Sequence, residues 1–114
     1  MSVLLDPKTL DLLIEAIGTE AARGVIELFL SESRDLLTVI AAPSSDPVTV
    51  GRAAHSLKSS AGQLGAAALS AAAAAIETAA HARSEQLPQL IAALAKCAAA
   101  TREALEARLA CEPS

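Results

Sequence analysis

Alanine fills 28 of the 114 positions, and Phe29 is the one aromatic residue of the chain. No other feature limits the possible folds as strongly. Alanine loses no side-chain entropy in a helix, while the β-branched and aromatic residues that suit strands are scarce. The expected fold is therefore all-α, with small side chains letting helices approach one another. Enough Leu, Ile and Val remain for one modest core, and 114 residues fit a single domain, 1–114. Disorder is excluded by the abundance of apolar residues and the mixed charge.

Caps and periodicity divide the chain into five helical segments. Asp6-Pro7 is an N-cap followed by proline at the first helical position, where a missing N–H costs nothing. Leu10, Leu13, Ile14 and Ile17 then form one stripe, and Gly18 is expected to end the helix in a left-handed conformation. Thr19 is expected to cap the second helix, whose stripe is Ala22, Val25, Ile26, Phe29, Leu30, Leu36, Leu37 and Ile40. Residues 42–47, Ala-Pro-Ser-Ser-Asp-Pro, form a turn, and Asp46-Pro47 repeats the cap-plus-proline signal. Val50, Ala54, Leu57, Ala61 and Leu64 follow at steps of four and three, a bundle-type seam that Gly65 closes. A fourth helix runs through Leu69, Ala72, Ala73, Ile76 and Ala80, and a fifth starts near Pro88. Short connections force antiparallel neighbours. The expected architecture is an up-and-down antiparallel four-helix bundle with a short additional N-terminal helix.

Charge and composition remove several functions. A formal net charge of −4 argues against nucleic-acid binding, and no aromatic platform exists on which single-stranded bases could stack. The start, Met1-Ser2-Val3-Leu4-Leu5-Asp6-Pro7, lacks the basic and apolar regions of a signal peptide. The long weakly polar run from Gly65 to Ala80 contains Glu77 and is mainly Ala, which reads as a buried helix and not a membrane span. Cys97 and Cys111 have neither metal-ligand spacing nor a basic setting, so a reduced, cytoplasmic protein without bound metal or cofactor is expected. His81 has no ligand partner at metal spacing and reads as a surface residue. No glycine-rich phosphate loop or kinase motif is present.

The chemically informative stretch is His55-Ser56-Leu57-Lys58-Ser59-Ser60-Ala61-Gly62-Gln63-Leu64-Gly65-Ala66. On a helix His55, Ser59 and Gly62 stand at i, i+4 and i+7, with Lys58 at i+3. The apolar seam is rotated away from this face, so His55 points outward beside a cation and two small residues. A neutral imidazole keeps a nucleophilic nitrogen near neutral pH, its unperturbed pKa lying near ~6.5. Phosphoryl transfer depends mainly on positioning and charge neutralisation, and Lys58 can offer its ammonium to phosphoryl oxygens. Ser59 and Gly62 leave a shallow surface across which a partner's carboxylate can approach the ring. A glycine in mid-helix costs roughly 1 kcal/mol against alanine, a cost consistent with close approach at that point.

This run resembles the signature of the histidine-containing phosphotransfer (HPt) domain family of two-component phosphorelays, and the likeness extends over nearly the whole chain. The resemblance implies that His55 is the phosphoacceptor, Lys58 the phosphoryl-stabilising lysine and Gly62 the small residue beside the histidine. The position after the lysine is often Gly in this family and is Ser59 here. The resemblance also implies a polar residue on the next helix that orients the imidazole through its other nitrogen, and Glu77 falls at the matching place. A carboxylate there would hold the ring and raise its basicity.

The implied partners are response-regulator receiver domains, which supply their own Mg²⁺, and a hybrid histidine kinase. The implied protein is a phosphoryl carrier without independent catalytic activity, and a monomer is expected because the bundle can bury its own seams. Docking residues are expected around His55 on its helix and on the helix holding Phe29. Two other classes remain open. One is a helical adaptor that binds receiver or kinase domains without phosphorylation. The other is a kinase dimerisation fragment, which normally carries an acidic residue directly after the histidine, where Ser56 stands here.

Overall fold

Asp6 and Asp46 start two helices by the same device. Each side-chain oxygen accepts a backbone N–H of the first turn, from Lys8 at 3.0 Å and from Thr49 at 2.8 Å, and each is followed by proline. The computed structural model describes residues 4–112, so the reading of Met1–Val3 lies outside the described residues. The elements are α1 (Pro7–Ile17), α2 (Thr19–Ala41), α3 (Pro47–Gln63), α4 (Ala67–His81) and α5 (Leu87–Ala110), with no strand among the described residues. None of these helices is long and apolar enough to cross a membrane.

Helix α2 packs on α3, α3 on α4, α4 on α5, and α5 back on α2, while α1 lies against α2. The enclosed core is built from Ile26, Phe29, Ile40, Leu57, Leu69, Ile76, Leu94 and Leu105, interleaved with Ala54, Ala61, Ala66 and Ala73. Burying each large aliphatic side chain contributes roughly 1.5–3 kcal/mol. Ser33 and Thr101 are the buried polar residues of the described chain, and each hydroxyl donates to a carbonyl of its own helix, Leu30 and Cys97. Neither therefore opposes burial.

Three sequence expectations need correction. Gly18 does take a positive φ of +86°, but with ψ 161° it is extended and not in the left-handed helical region. This single residue separates α1 from α2, so it also occupies the cap position of α2. Thr19 is already helical, and no side chain caps that helix end. Ile17 and Val25 were placed on buried stripes but are exposed, at 44% and 40%. Helix α1 lies at the edge of the bundle with only Leu10 fully buried, and Val25 stands one step off the seam of Ala22, Ile26, Phe29 and Ser33.

The start of α1 is clipped to the turn after α3. The Asp6 N–H donates to the Gly65 carbonyl at 2.7 Å, and Gly65 is buried with φ +75°. A Cβ at that position would lie 2.7 Å from Thr9 Cβ, so glycine is required there both by conformation and by space. At the other end of the chain Arg108 pairs with Asp11 at 2.8 Å and with Glu112, tying α5 to α1.

Candidate functional site

The buried seam of α3 sets the rotation of every residue on its outer face. Val50, Ala54, Leu57, Ala61 and Leu64 are all buried, as the periodicity predicts, and this turns the His55 side chain outward to 62% exposure. On α4, Ala73, Ile76 and Ala80 are buried, which leaves Glu77 at the margin of the α3–α4 seam, 33% exposed. Because alanines line both sides of that seam, a single Glu side chain reaches across it.

Glu77 meets two partners on α3. Its Oε2 lies 2.8 Å from His55 Nδ1, and its Oε1 accepts from Lys58 Nζ at 2.7 Å. Helix α4 makes a further bond two turns earlier, where Ser70 Oγ donates to the Lys58 carbonyl at 2.9 Å. The Lys58 hydrogen bond, followed by that of His55, holds the Glu77 carboxyl below the usual range against the opposing effect of burial. Glu77 is therefore ionised at neutral pH, and an ionised carboxylate only accepts hydrogen bonds. The proton between the two groups must sit on Nδ1. In a neutral ring that leaves the lone pair on Nε2, which has no hydrogen-bond partner among the described residues.

The sequence-predicted residues divide into two sets. His55, Lys58 and Glu77 converge on one network. Ser59 and Gly62 are exposed on the same helix and take no part in it. A Cβ on Gly62 would meet only Ser70 Oγ at 3.5 Å, an ordinary contact, so packing inside the protein does not demand glycine there.

An open groove of about 770 Å³ lies on the other side of His55, floored by Gly51 and Ala80 and flanked by Arg52, His81 and Arg83. Sequence reasoning missed this basic flank. Arg52 stands three residues before His55, so the spacing argument that singled out Lys58 applies to it equally. Arg83 and Ser70 had no such signal. Cys97 is half-buried and Cys111 exposed, and both are free thiols.

The family model of the Hpt domain matches residues 24–110, which spans most of α2 and all of α3, α4 and α5. The structure is similar to the crystal structure of histidine-containing phosphotransfer protein B (HptB) from Pseudomonas aeruginosa PAO1. The TM-score is 0.89 over 99% of this chain and 100% of that one, at 21% sequence identity. At that identity the likeness speaks for the fold. No curated protein matches the sequence.

Proposed function

The chain belongs to the Hpt domain family, and from this premise we propose that His55 accepts a phosphoryl group from the phosphoaspartate of one response-regulator receiver domain and passes it to another. A histidine phosphotransfer role in a phosphorelay is what the family assigns. Donor, acceptor and the residues that act are our reading. The observation that carries it is the Glu77 carboxylate on Nδ1, which leaves Nε2 as the nucleophile.

The Nε2 lone pair attacks phosphorus in line, the N–P bond forms, and the P–O bond to the receiver aspartate breaks, releasing its carboxylate. The ring then carries positive charge with its proton still on Nδ1, and Glu77 faces that charge directly. In the return step a second receiver's carboxylate attacks phosphorus and the N–P bond breaks. Lys58 keeps two of its three donors for phosphoryl oxygens while Glu77 engages the third. Mg²⁺ belongs to the receiver, and no step draws on a cofactor held by this chain. Ser59 and Gly62 form the low surface over which the receiver approaches, which agrees with the absence of an internal need for glycine at 62.

In this reading the protein is a cytoplasmic monomer, fed by a hybrid histidine kinase, and acts as a carrier and not as a catalyst. Helices α2 to α5 run up and down as an antiparallel four-helix bundle, with α1 as a leading helix.

Wild type and His55→Gln are to be incubated with a panel of phosphorylated receiver domains. Acid-labile, base-stable label on the wild type alone is the expected result. Binding without label would replace this reading with that of an adaptor.

A further inference from the structure

The groove beside His55 holds positive charge that the transfer chemistry above leaves unused. Arg52 lies one helical turn before His55, as Lys58 lies one turn after it, so the two cations flank the imidazole along α3. Arg83 lines the same groove from the end of α4. Among the described residues neither guanidinium makes an ion pair or a side-chain hydrogen bond. Glu77 lines the same groove but is engaged by His55 and Lys58, and Asp46 feels the charge of both arginines. The Asp46 carboxyl is held below the usual range first by the Thr49 backbone N–H and more weakly by both arginines, yet it bonds to neither.

The backbone at Arg83 points the same way. Helix α4 ends with the Ser84 N–H on the Ala79 carbonyl at 2.9 Å and the Arg83 N–H on the Ala80 carbonyl at 3.2 Å. Glycine usually occupies the left-handed position of this cap, but here it is Arg83, at φ +54°, the one non-glycine residue with positive φ among the described residues. A side chain there raises the energy of the turn, and glycine would relieve it. Strain retained at a residue whose side chain lines the groove at His55 favours a use for that side chain.

We propose that Arg52 and Arg83 form a second cationic wall of the His55 site and bind the phosphoryl group once it is on Nε2. Their planar forks suit phosphoryl oxygens, and their full charge opposes a dianion on the flank away from Lys58. The consequence is thermodynamic. Two extra cations stabilise the phosphorylated form of the carrier over the free form, so phosphoryl groups partition toward this protein and away from its receivers. The proposal rests on His55 being the phosphoacceptor.

The test measures how label divides at equilibrium between His55 and a receiver domain, for wild type, Arg52→Ala, Arg83→Gly, Arg83→Lys and the Arg52→Ala/Arg83→Gly double variant. That ratio depends only on the free energies of the separate phosphorylated and unphosphorylated proteins, so docking affinity drops out. The double variant is expected to shift the ratio toward the receiver by about 3- to 10-fold. Arg83→Gly alone should shift it the same way while its melting temperature holds or rises by ~2–4 °C, and Arg83→Lys should restore part of the ratio. An unchanged ratio in the double variant, with wild type labelled on His55, overturns the proposal. A loss that tracks a fall in melting temperature and is not restored by lysine also overturns it, because Arg83 would then be structural. Failure of every receiver to label the wild type is a different result and removes the carrier reading itself.

Discussion

The seam between α3 and α4 and the seam between α2 and α5 are built from similar residues and behave differently. Across the first, Ala54, Leu57 and Ala61 face Ala73, Ile76 and Ala80, all at 0–1% exposure, and Glu77 and Ser70 tie the two helices together with hydrogen bonds. Across the second, Leu30 and Leu37 on α2 oppose Ala95, Ala98 and Ala99 on α5, leaving an open groove of about 350 Å³ that reaches down to Leu69. The polar ties there are two long hydrogen bonds, from the Arg102 guanidinium to the Leu30 carbonyl at 3.4 Å and from the Arg23 guanidinium to the Leu109 carbonyl at 3.5 Å. On the closed seam the large residues Leu57 and Ile76 each stand among alanines of both helices, whereas large residues on one side and alanines on the other leave space along two long helices. The candidate site stands on the closed seam, where a carboxylate must hold an imidazole and an ammonium to within tenths of an ångström.

The comparison breaks most readily at Ile76. Ile76→Ala should cost about 2–5 kcal/mol in urea unfolding, because the closed seam cannot collapse around the void. Half-buried Leu37→Ala should cost clearly less, and equal losses would erase the distinction. Overfilling comes next. Ala73→Leu, at 0% exposure, should destabilise by about 1–3 kcal/mol and displace Glu77, seen as loss of a fixed Nδ1–H tautomer by ¹⁵N NMR.

A smaller, pH-dependent effect is expected from Glu77→Gln. The Glu77 pKa is lowered on folding from its ordinary 4.5. Its ionised form therefore adds stability that is fully present above that value and lost as pH falls through the lower folded value. Urea midpoints of wild type and Glu77→Gln should differ at neutral pH and converge in acid. A difference that stays constant with pH would rule out an ionic tie. The smallest effect is Ala98→Leu, which places its methyls in the open groove and should change stability by less than about 0.5 kcal/mol.

Much of the site could be read from the sequence, for local reasons. Asp6-Pro7 and Asp46-Pro47 announce helix starts because aspartate and proline act on backbone groups within three residues of themselves. The seam of α3 follows from spacing alone, and it fixes which way His55 faces. Glu77 is different, since its partners lie 22 and 19 residues away, and only the family resemblance pointed to it. That the same carboxylate would also hold Lys58 was not foreseen. Gly18 carried the right signal of positive φ and the wrong conformation, because ψ there depends on how α1 and α2 meet. Arg83 in a left-handed turn has no sequence signature at all, as arginine is among the residues that rarely adopt it.

The clip between Asp6 and Gly65 bears on how the chain is made. A ribosome delivers α1 before the other helices, yet the carbonyl that secures it belongs to a residue about sixty positions later. At synthesis rates of ~5–20 residues per second, α1 waits roughly 3–12 s for that partner, with only α2 to pack against in the meantime. The first of the five helices is thus clipped only after the third is complete, and its docking reports that the turn following the His55 helix has already formed.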